Sequence, residues 1–172
     1  MKPYESPWMD DDLRMLREAV SRFVETEMLP QEPRWRAEHR VDYETWRAVG
    51  EAGFLLMDVP SEYGGGGGDF RHESVLYEET ARRGISGFGQ GVHSIAAHYV
   101  LNYGTEQQKQ RWLPRMASGE LVGAIAMTEP GAGSDLKGIR TKAVRDGDHY
   151  VVNGPKIFIT NGSIATILML VV

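Results

Sequence analysis

The sequence predicts an α+β chain: an all-α helical domain over residues 1–120, followed by the first strands of a β-barrel-like domain over residues 121–172. Two observations carry this reading. Through the first two-thirds, apolar residues recur three and four positions apart, the period of a half-buried helix. After Gly119 they gather into short runs rich in β-branched side chains, parted by Gly147-Asp148, Asn153-Gly154 and Asn161-Gly162.

Taken in order, Ser6-Pro7 reads as an N-cap with proline at the first helical position. Asp10, Asp11 and Asp12 lie in or near the first turn, where the helix dipole favours acids. Leu13, Leu16, Val20, Phe23 and Val24 follow at helical spacing, and Pro30 and Pro33 are expected to stop the element. A second helix opens at Asp42, with Tyr43, Trp46 and Val49 inward and Gly53 as C-cap. Gly64 to Gly68 reads as a flexible connector. A third helix follows Asp69 and ends near Gly84. A fourth spans roughly Val92 to Tyr103, with Val92, Ile95, Ala96, Tyr99 and Val100 inward. Thr105 and Gln108 form a capping box for a short fifth helix through Trp112, and Pro114 lies near its end. Strands are expected at Leu121–Met127, Arg140–Arg145, Tyr150–Val152, Ile157–Thr160 and Ile164–Val172. Ala165 to Val172 is almost wholly apolar and the chain stops inside it. The expectation is a chain cut in mid-domain, against the alternative of a natural buried terminal strand.

Composition narrows the function classes. The 172 residues contain no cysteine, which excludes disulfides, thiolate nucleophiles and Cys-based zinc sites. The net charge is −5 and no Lys/Arg cluster offers a phosphate track, so nucleic acid is not the expected partner. No apolar run is long enough to span a bilayer, and the opening residues read as neither a secretory signal nor a transit peptide. The cytoplasm is the expected location. His39, His72, His93, His98 and His149 show no zinc spacing with a third ligand, so no metal is expected, and His98 reads as a partly buried core residue. Trp8, Trp35, Trp46 and Trp112 read as packing residues. Glu78, Glu79, Arg82 and Arg83 read as a solvated helix face.

Two segments stand out chemically. Met127-Thr128-Glu129-Pro130-Gly131-Ala132-Gly133-Ser134-Asp135 follows a strand, with glycines that let backbone approach a ligand and successive N–H groups that can form an anion site. It is neither a GxGxxG nor a GxxxxGK[ST] loop. An ordinary strand-connecting turn is the alternative. Ser134 with Asp135 is not a hydrolase pair, because no histidine base accompanies it. The second segment is Asn153-Gly154-Pro155-Lys156-Ile157-Phe158-Ile159-Thr160-Asn161-Gly162. On a strand, Phe158 and Thr160 would share one face, an aromatic and a hydroxyl suited to the face and edge of a flat heteroaromatic ring. Taken alone, such a strand is more often merely sheet.

In order and spacing, the pair resembles the flavin-binding motifs of the acyl-CoA dehydrogenase family, T-E-P-G-A-G-S-D and N-G-x-K-x-(W/F/Y)-I-T-N-G. Pro60-Ser61-Glu62-Tyr63-Gly64-Gly65 and Gly104 to Lys109 also resemble family segments, so the likeness covers nearly the whole chain. The resemblance implies a helical amino-terminal domain, a middle β-domain and a carboxy-terminal bundle, of which this chain would supply the first and the start of the second. It implies FAD contacts from Ile125, Ala126, Met127, Thr128, Gly133, Ser134, Phe158, Ile159 and Thr160. Thr128 would bond the pyrimidine edge, Gly133 and Ser134 would lie beside the pyrophosphate, and Thr160 would donate to flavin N5. Ser134 would also touch the acyl-CoA. Many members carry tryptophan where this chain has Phe158, which removes an indole donor but keeps a ring over the flavin.

The implied reaction is α,β-dehydrogenation of an acyl-CoA thioester. The family's glutamate base lies beyond residue 172, so no catalytic residue is assigned, and the fragment alone is expected to bind FAD poorly and to be inactive. The resemblance further implies electron-transfer flavoprotein as acceptor and a homotetramer at full length. Gly87 and Gly91, four apart, would open one face of the fourth helix to a medium- or long-chain tail. Alternatives are a catalytically inert binding or assembly module of the same fold, an acyl-CoA oxidase, or a flavin monooxygenase relative. The joint presence of Thr128 and Thr160 favours the dehydrogenase.

Overall fold

A computed structural model describes residues 5–172. Helix α1 (Asp11–Phe23) buries Leu13 and Val20 and packs on α4 (Phe70–Arg82). Its N-cap is Asp10, whose carboxylate accepts from Leu13 N at 2.9 Å. Ser6 is therefore not the cap; its Oγ donates to Glu78 on α4 at 3.0 Å. Pro30 and Pro33 do not end the element either. The backbone continues through a π-turn at Val24–Met28 and a 3₁₀ turn at Leu29–Gln31 into α2 (Glu32–Glu38). Each proline sits in the first turn of its segment, where its missing N–H costs nothing.

Helix α3 (Tyr43–Glu51) is capped by Asp42, which accepts from Thr45 N at 2.8 Å, and its Trp46 and Val49 are fully buried. Gly53 follows in the left-handed region. Tyr43 is not inward but keeps its hydroxyl 2.5 Å from Ile164 O, across the two parts of the chain. The glycine run is no flexible connector. Gly65, Gly66, Gly67 and Gly68 each donate a backbone hydrogen bond, to Pro60, Leu56, Val59 and Met57 O respectively. A β-carbon on Gly65 would lie 2.2 Å from Val59 O, so this close folding needs glycine.

Helix α5 (Gln90–Tyr103) buries His93, Ala96, Ala97 and Val100. The buried face is rotated from the expected one: Ile95 and Tyr99 are exposed, because the polar His93 is drawn inward by two backbone partners described below. Helix α6 (Glu106–Ala117) has the expected capping box but runs past Trp112, with Pro114 inside it. The acidic-basic face of α4 is only partly solvated. Glu79 is buried and pairs with Arg83 at 2.6 Å, and Arg83 reaches Ser21 on α1 and Glu25 just after it. Burial beside α1 turns these charges into an inter-helix network. Two adjoining apolar clusters form the core, one around Trp35, Trp46 and Leu76, the other around Leu56, Leu113 and Met116.

The strands follow. β1 (Gly123–Ala126) pairs in parallel with β4 (Ile167–Leu170), Gly123 opposite Ile167 and Ala126 opposite Leu170. β2 (Lys142–Asp146) and β3 (His149–Asn153) form an antiparallel hairpin across Gly147-Asp148. The expected strand at Ile157–Thr160 is instead a loop. Its backbone hydrogen bonds go to Thr128 O and to its own turn rather than to a ladder, and Phe158 and Asn161 have φ of 57° and 63°. Among the described residues no helix is long and apolar enough to cross a membrane.

Candidate functional site

The two singled-out segments are joined. β1 delivers Met127 and Thr128 to a tight turn in which Glu129 and Ala132 exchange both backbone hydrogen bonds, at 2.9 and 3.1 Å. This turn lifts Gly131 and Gly133 to the surface, where a β-carbon on either would meet no atom within 4 Å. Packing therefore does not demand glycine here; close approach by a ligand would. The second segment docks on the first through Ile157 N, which donates to Thr128 O at 3.0 Å.

Glu129 fastens this joint. Its buried carboxylate accepts from Arg140 N at 2.7 Å, Thr141 N at 2.9 Å, Thr141 Oγ1 and Lys156 Nζ at 3.0 Å. Lys156 Nζ also donates to Met127 O at 2.9 Å. The Thr141 hydroxyl above all, then the Arg140 amide and Lys156, hold the Glu129 carboxyl down at about 2. A carboxylate so stabilised is a poor proton acceptor near neutrality, which fits a structural part.

Phe158 is 89% exposed and sits in left-handed backbone. A bulky aromatic held in that region is strained, and such strain concentrates at ligand sites. Thr160 is exposed nearby, while Ile157 and Ile159 turn partly inward. Asn161 fixes this end: its Nδ2 donates to Gly89 O and to Gly123 O, both at 3.0 Å. A β-carbon on Gly89 would lie 2.8 Å from Thr160 Cγ2, so the start of α5 abuts the Thr160 loop. His93 supports the same corner, with Nδ1 accepting from Gly123 N at 3.0 Å and Nε2 donating to Met116 O at 3.2 Å. Burial pushes its pKa down to about 4.

Of the expected site residues, the structure brings Met127, Thr128, Phe158, Ile159 and Thr160 into one neighbourhood through the Ile157–Thr128 and Lys156–Met127 bonds. Ile125 and Ala126 lie in β1 beneath it, and Gly133 and Ser134 stand exposed on the adjoining loop. Gly87 and Gly91 do not share a helix face. Gly87 precedes α5 and borders a cavity with Trp35 and Arg36, whereas Gly91 opens on a groove beside Tyr77. Sequence reasoning passed over Lys156, Asn161 and His93. Lys156 and Asn161 lay inside the quoted motif, so a buried-charge or Asn-turn argument could have raised them; nothing local marked His93.

A helical layer thus feeds a short parallel strand pair, with an exposed glycine turn after β1 and an exposed aromatic ring after β3. The comparisons give the family. Residues 10–120 match the model for "Acyl-CoA dehydrogenase, N-terminal domain" and residues 124–172 that for "Acyl-CoA dehydrogenase, middle domain". The chain belongs to the acyl-CoA dehydrogenase family. It is 41% identical over 158 residues to the mitochondrial long-chain specific acyl-CoA dehydrogenase of Mus musculus, covering 91% of this chain and 37% of that protein. An acyl-CoA dehydrogenase of Geobacillus kaustophilus superposes with a TM-score of 0.92 at 44% identity, over 96% of this chain and 44% of the other. One from Bacillus anthracis, solved complexed with FAD, gives 0.88 at 33% identity, over 97% and 30%. The chain thus spans less than half the length of these relatives.

Proposed function

We propose that the chain forms the helical domain, residues 1–120, and the opening of the β-domain, from residue 121, of an FAD-dependent enzyme that dehydrogenates acyl-CoA thioesters at the α,β-bond. The observation that carries this is the exposed, strained Phe158, whose neighbour Ile157 is hydrogen-bonded to Thr128 at the start of the turn that holds Gly131 to Ser134. These residues fit FAD: an open amide turn suits a pyrophosphate, an aromatic face suits a flat ring, and the Thr128 and Thr160 hydroxyls suit its polar edge. The FAD bound by the Bacillus anthracis relative supports the same cofactor. When bound, FAD supplies the hydride acceptor. Thr128 would then orient the pyrimidine edge, Gly133 and Ser134 the phosphates, and Phe158 would shield the ring from water. Thr160 would present its hydroxyl to the atom that gains hydride, a donor placed where charge develops.

No residue of 1–172 is proposed as the base. Glu129 is held at about 2 by its partners. Glu73 is raised to about 7 by burial and by Asp58, but it is sealed in the core and accepts from Met57 N at 2.7 Å. Residues 1–172 alone are therefore proposed to lack dehydrogenation and stoichiometric flavin, half a pocket losing most of the contacts that offset association entropy. Electron-transfer flavoprotein is the proposed acceptor and a homotetramer the proposed assembly. The proposed setting is the cytoplasm; the mitochondrial name of the mouse relative makes the mitochondrion the competing outcome of fractionation.

The test is the full-length protein. It should purify yellow, and its flavin band should bleach on anaerobic addition of an acyl-CoA. A flavin-free product that still binds partners would favour the inert assembly module. Rapid reoxidation by oxygen without electron-transfer flavoprotein would favour the oxidase.

A further inference from the structure

Thr160 and Asn161 are the two central residues of a turn that Gly162 N closes on Ile159 O at 2.9 Å. Asn161 has a φ of 63°, the left-handed conformation that the third position of such a turn can take and that asparagine tolerates. Ile164 N then donates to Asn161 O at 2.9 Å. A loop held only by these local bonds could rock as a unit. The Asn161 side chain stops it.

Its amide faces two carbonyls, Gly89 O and Gly123 O, each 3.0 Å from Nδ2. Two acceptors fix which end of the amide is nitrogen, and both of its hydrogens are used. Both acceptors are themselves held. Gly89 O takes the first hydrogen bond of α5, from His93 N at 3.2 Å. Gly123 opens β1, and its N–H donates to His93 Nδ1 at 3.0 Å. His93 Nε2 donates to Met116 O on α6, which leaves Nδ1 as the acceptor. One buried imidazole thus braces the residue that receives Asn161. Thr160 rests on the same frame. Its methyl lies against Gly89, where a β-carbon would sit 2.8 Å from Cγ2. A β-branched side chain has few χ1 positions, so with the methyl committed, the hydroxyl points where Asn161 holds the turn.

We propose that Asn161 is a positioning residue for the dehydrogenation: its bridge from Gly89 to Gly123 aims the Thr160 hydroxyl at flavin N5. The inference rests on the flavin reading above and adds the residue through which α5 and β1 set that hydroxyl. An asparagine that only stabilised the loop would act whatever stood at position 160. A positioning asparagine acts through the Thr160 hydroxyl and loses its effect once that hydroxyl is gone.

The experiment is a double-mutant cycle in the full-length, flavin-loaded enzyme: parent, Asn161→Gly, Thr160→Val and the double variant, at matched flavin content. Glycine keeps the left-handed backbone and removes both side-chain hydrogen bonds. In the parent, Asn161→Gly should lower kcat by roughly 10-fold or more while KM for the acyl-CoA moves less than about 2-fold. In the Thr160→Val background it should move kcat less than about 2-fold. A second readout needs no turnover. The ¹⁵N resonance of N5 in bound, labelled FAD reports the hydrogen bond at that atom, and Asn161→Gly should carry it most of the way to its position in Thr160→Val. Asn161→Asp, which keeps the shape and loses the donors, decides by the same comparisons if the glycine variant does not fold. An unmoved N5 resonance, an unchanged kcat, or an equal fall in both backgrounds overturns the inference while leaving dehydrogenation standing. A parental kcat in Thr160→Val overturns the Thr160 assignment and this inference with it. No turnover of any acyl-CoA by the parent overturns the function as well.

Discussion

Lys156 Nζ lies 3.0 Å from Glu129 Oε1, and both side chains are more than nine-tenths buried. The pair joins the loop after β1 to the loop after β3, and Lys156 reaches past it to Met127 O. Beside the Ile157–Thr128 bond, this cation holds Thr128 and Phe158 in one neighbourhood, and its loss should be felt at the flavin before the helices.

Lys156→Met should lower flavin occupancy of the full-length protein by roughly 10-fold, since it removes two charge-assisted hydrogen bonds and strands the Glu129 carboxylate. The pair's hydrogen bonds go to Met127, Arg140 and Thr141, outside the helical domain, so far-UV circular dichroism should hold. Flavin content by absorbance against a titration of added FAD checks it. Unchanged occupancy would show that the clamp does not shape the site.

Thr160→Val keeps the side-chain shape and removes the donor. With flavin content matched, kcat should fall by about 10-fold or more while KM moves little, because the lost interaction belongs to the transition state. An equal rise in KM at constant kcat would assign Thr160 to binding alone.

Gly89→Ala crowds the same corner from the other side. The new β-carbon would sit 2.3 Å from Asn161 Oδ1 and 2.8 Å from Thr160 Cγ2, so the Thr160 loop must shift. A displacement near 1 Å can cost on the order of 10²-fold in rate. Steady-state kinetics beside a thermal melt would separate this from unfolding: kcat should drop well before Tm does.

Stability should bend with pH in two opposite senses. Glu73 is raised to about 7 by burial and then by Asp58, so the folded state holds its proton longer than the unfolded one. That contribution is fully present below about pH 4.5 and is lost as pH rises through 7. Glu73→Gln keeps the acceptor for Met57 N and removes the charge; at pH 8 it should stabilise by up to about 3 kcal/mol, and near pH 4.5 by little. His93 and Glu129 act oppositely. His93 is lowered to about 4 by burial, so stability is complete above pH 6.5 and declines as pH falls toward 4. Glu129, held near 2, adds a further loss below pH 4.5. Urea melts of parent and Glu73→Gln at pH 3, 4.5, 6 and 8 read all three.

Most of the helical layer was legible because its signals are local. Asp42, Asp69 and Thr105 cap their helices as their side chains dictate. What failed depended on partners distant in sequence. The inward face of α5 turns on His93 meeting Gly123 and Met116, thirty and twenty-three residues away. The glycine run looked loose because its anchors, the carbonyls of residues 56 to 60, carry no side-chain signature. At the site, the motif residues are named by resemblance alone, and the strand expected for Ile157 to Thr160 is a loop. Alternating apolar residues at Ile157 and Ile159 imitate a strand, while the bonds that set the backbone come from Lys156 and Asn161 side chains.

The parallel pairing of β1 with β4 brings Gly123 opposite Ile167, with both motif segments lying in the stretch of chain between them. Parallel ladders reward the chain only after such a loop has closed, so the cradle around Phe158 should form only with the ladder. Cofactor present during refolding should then speed the phase in which the ladder closes, acting as a template for β4.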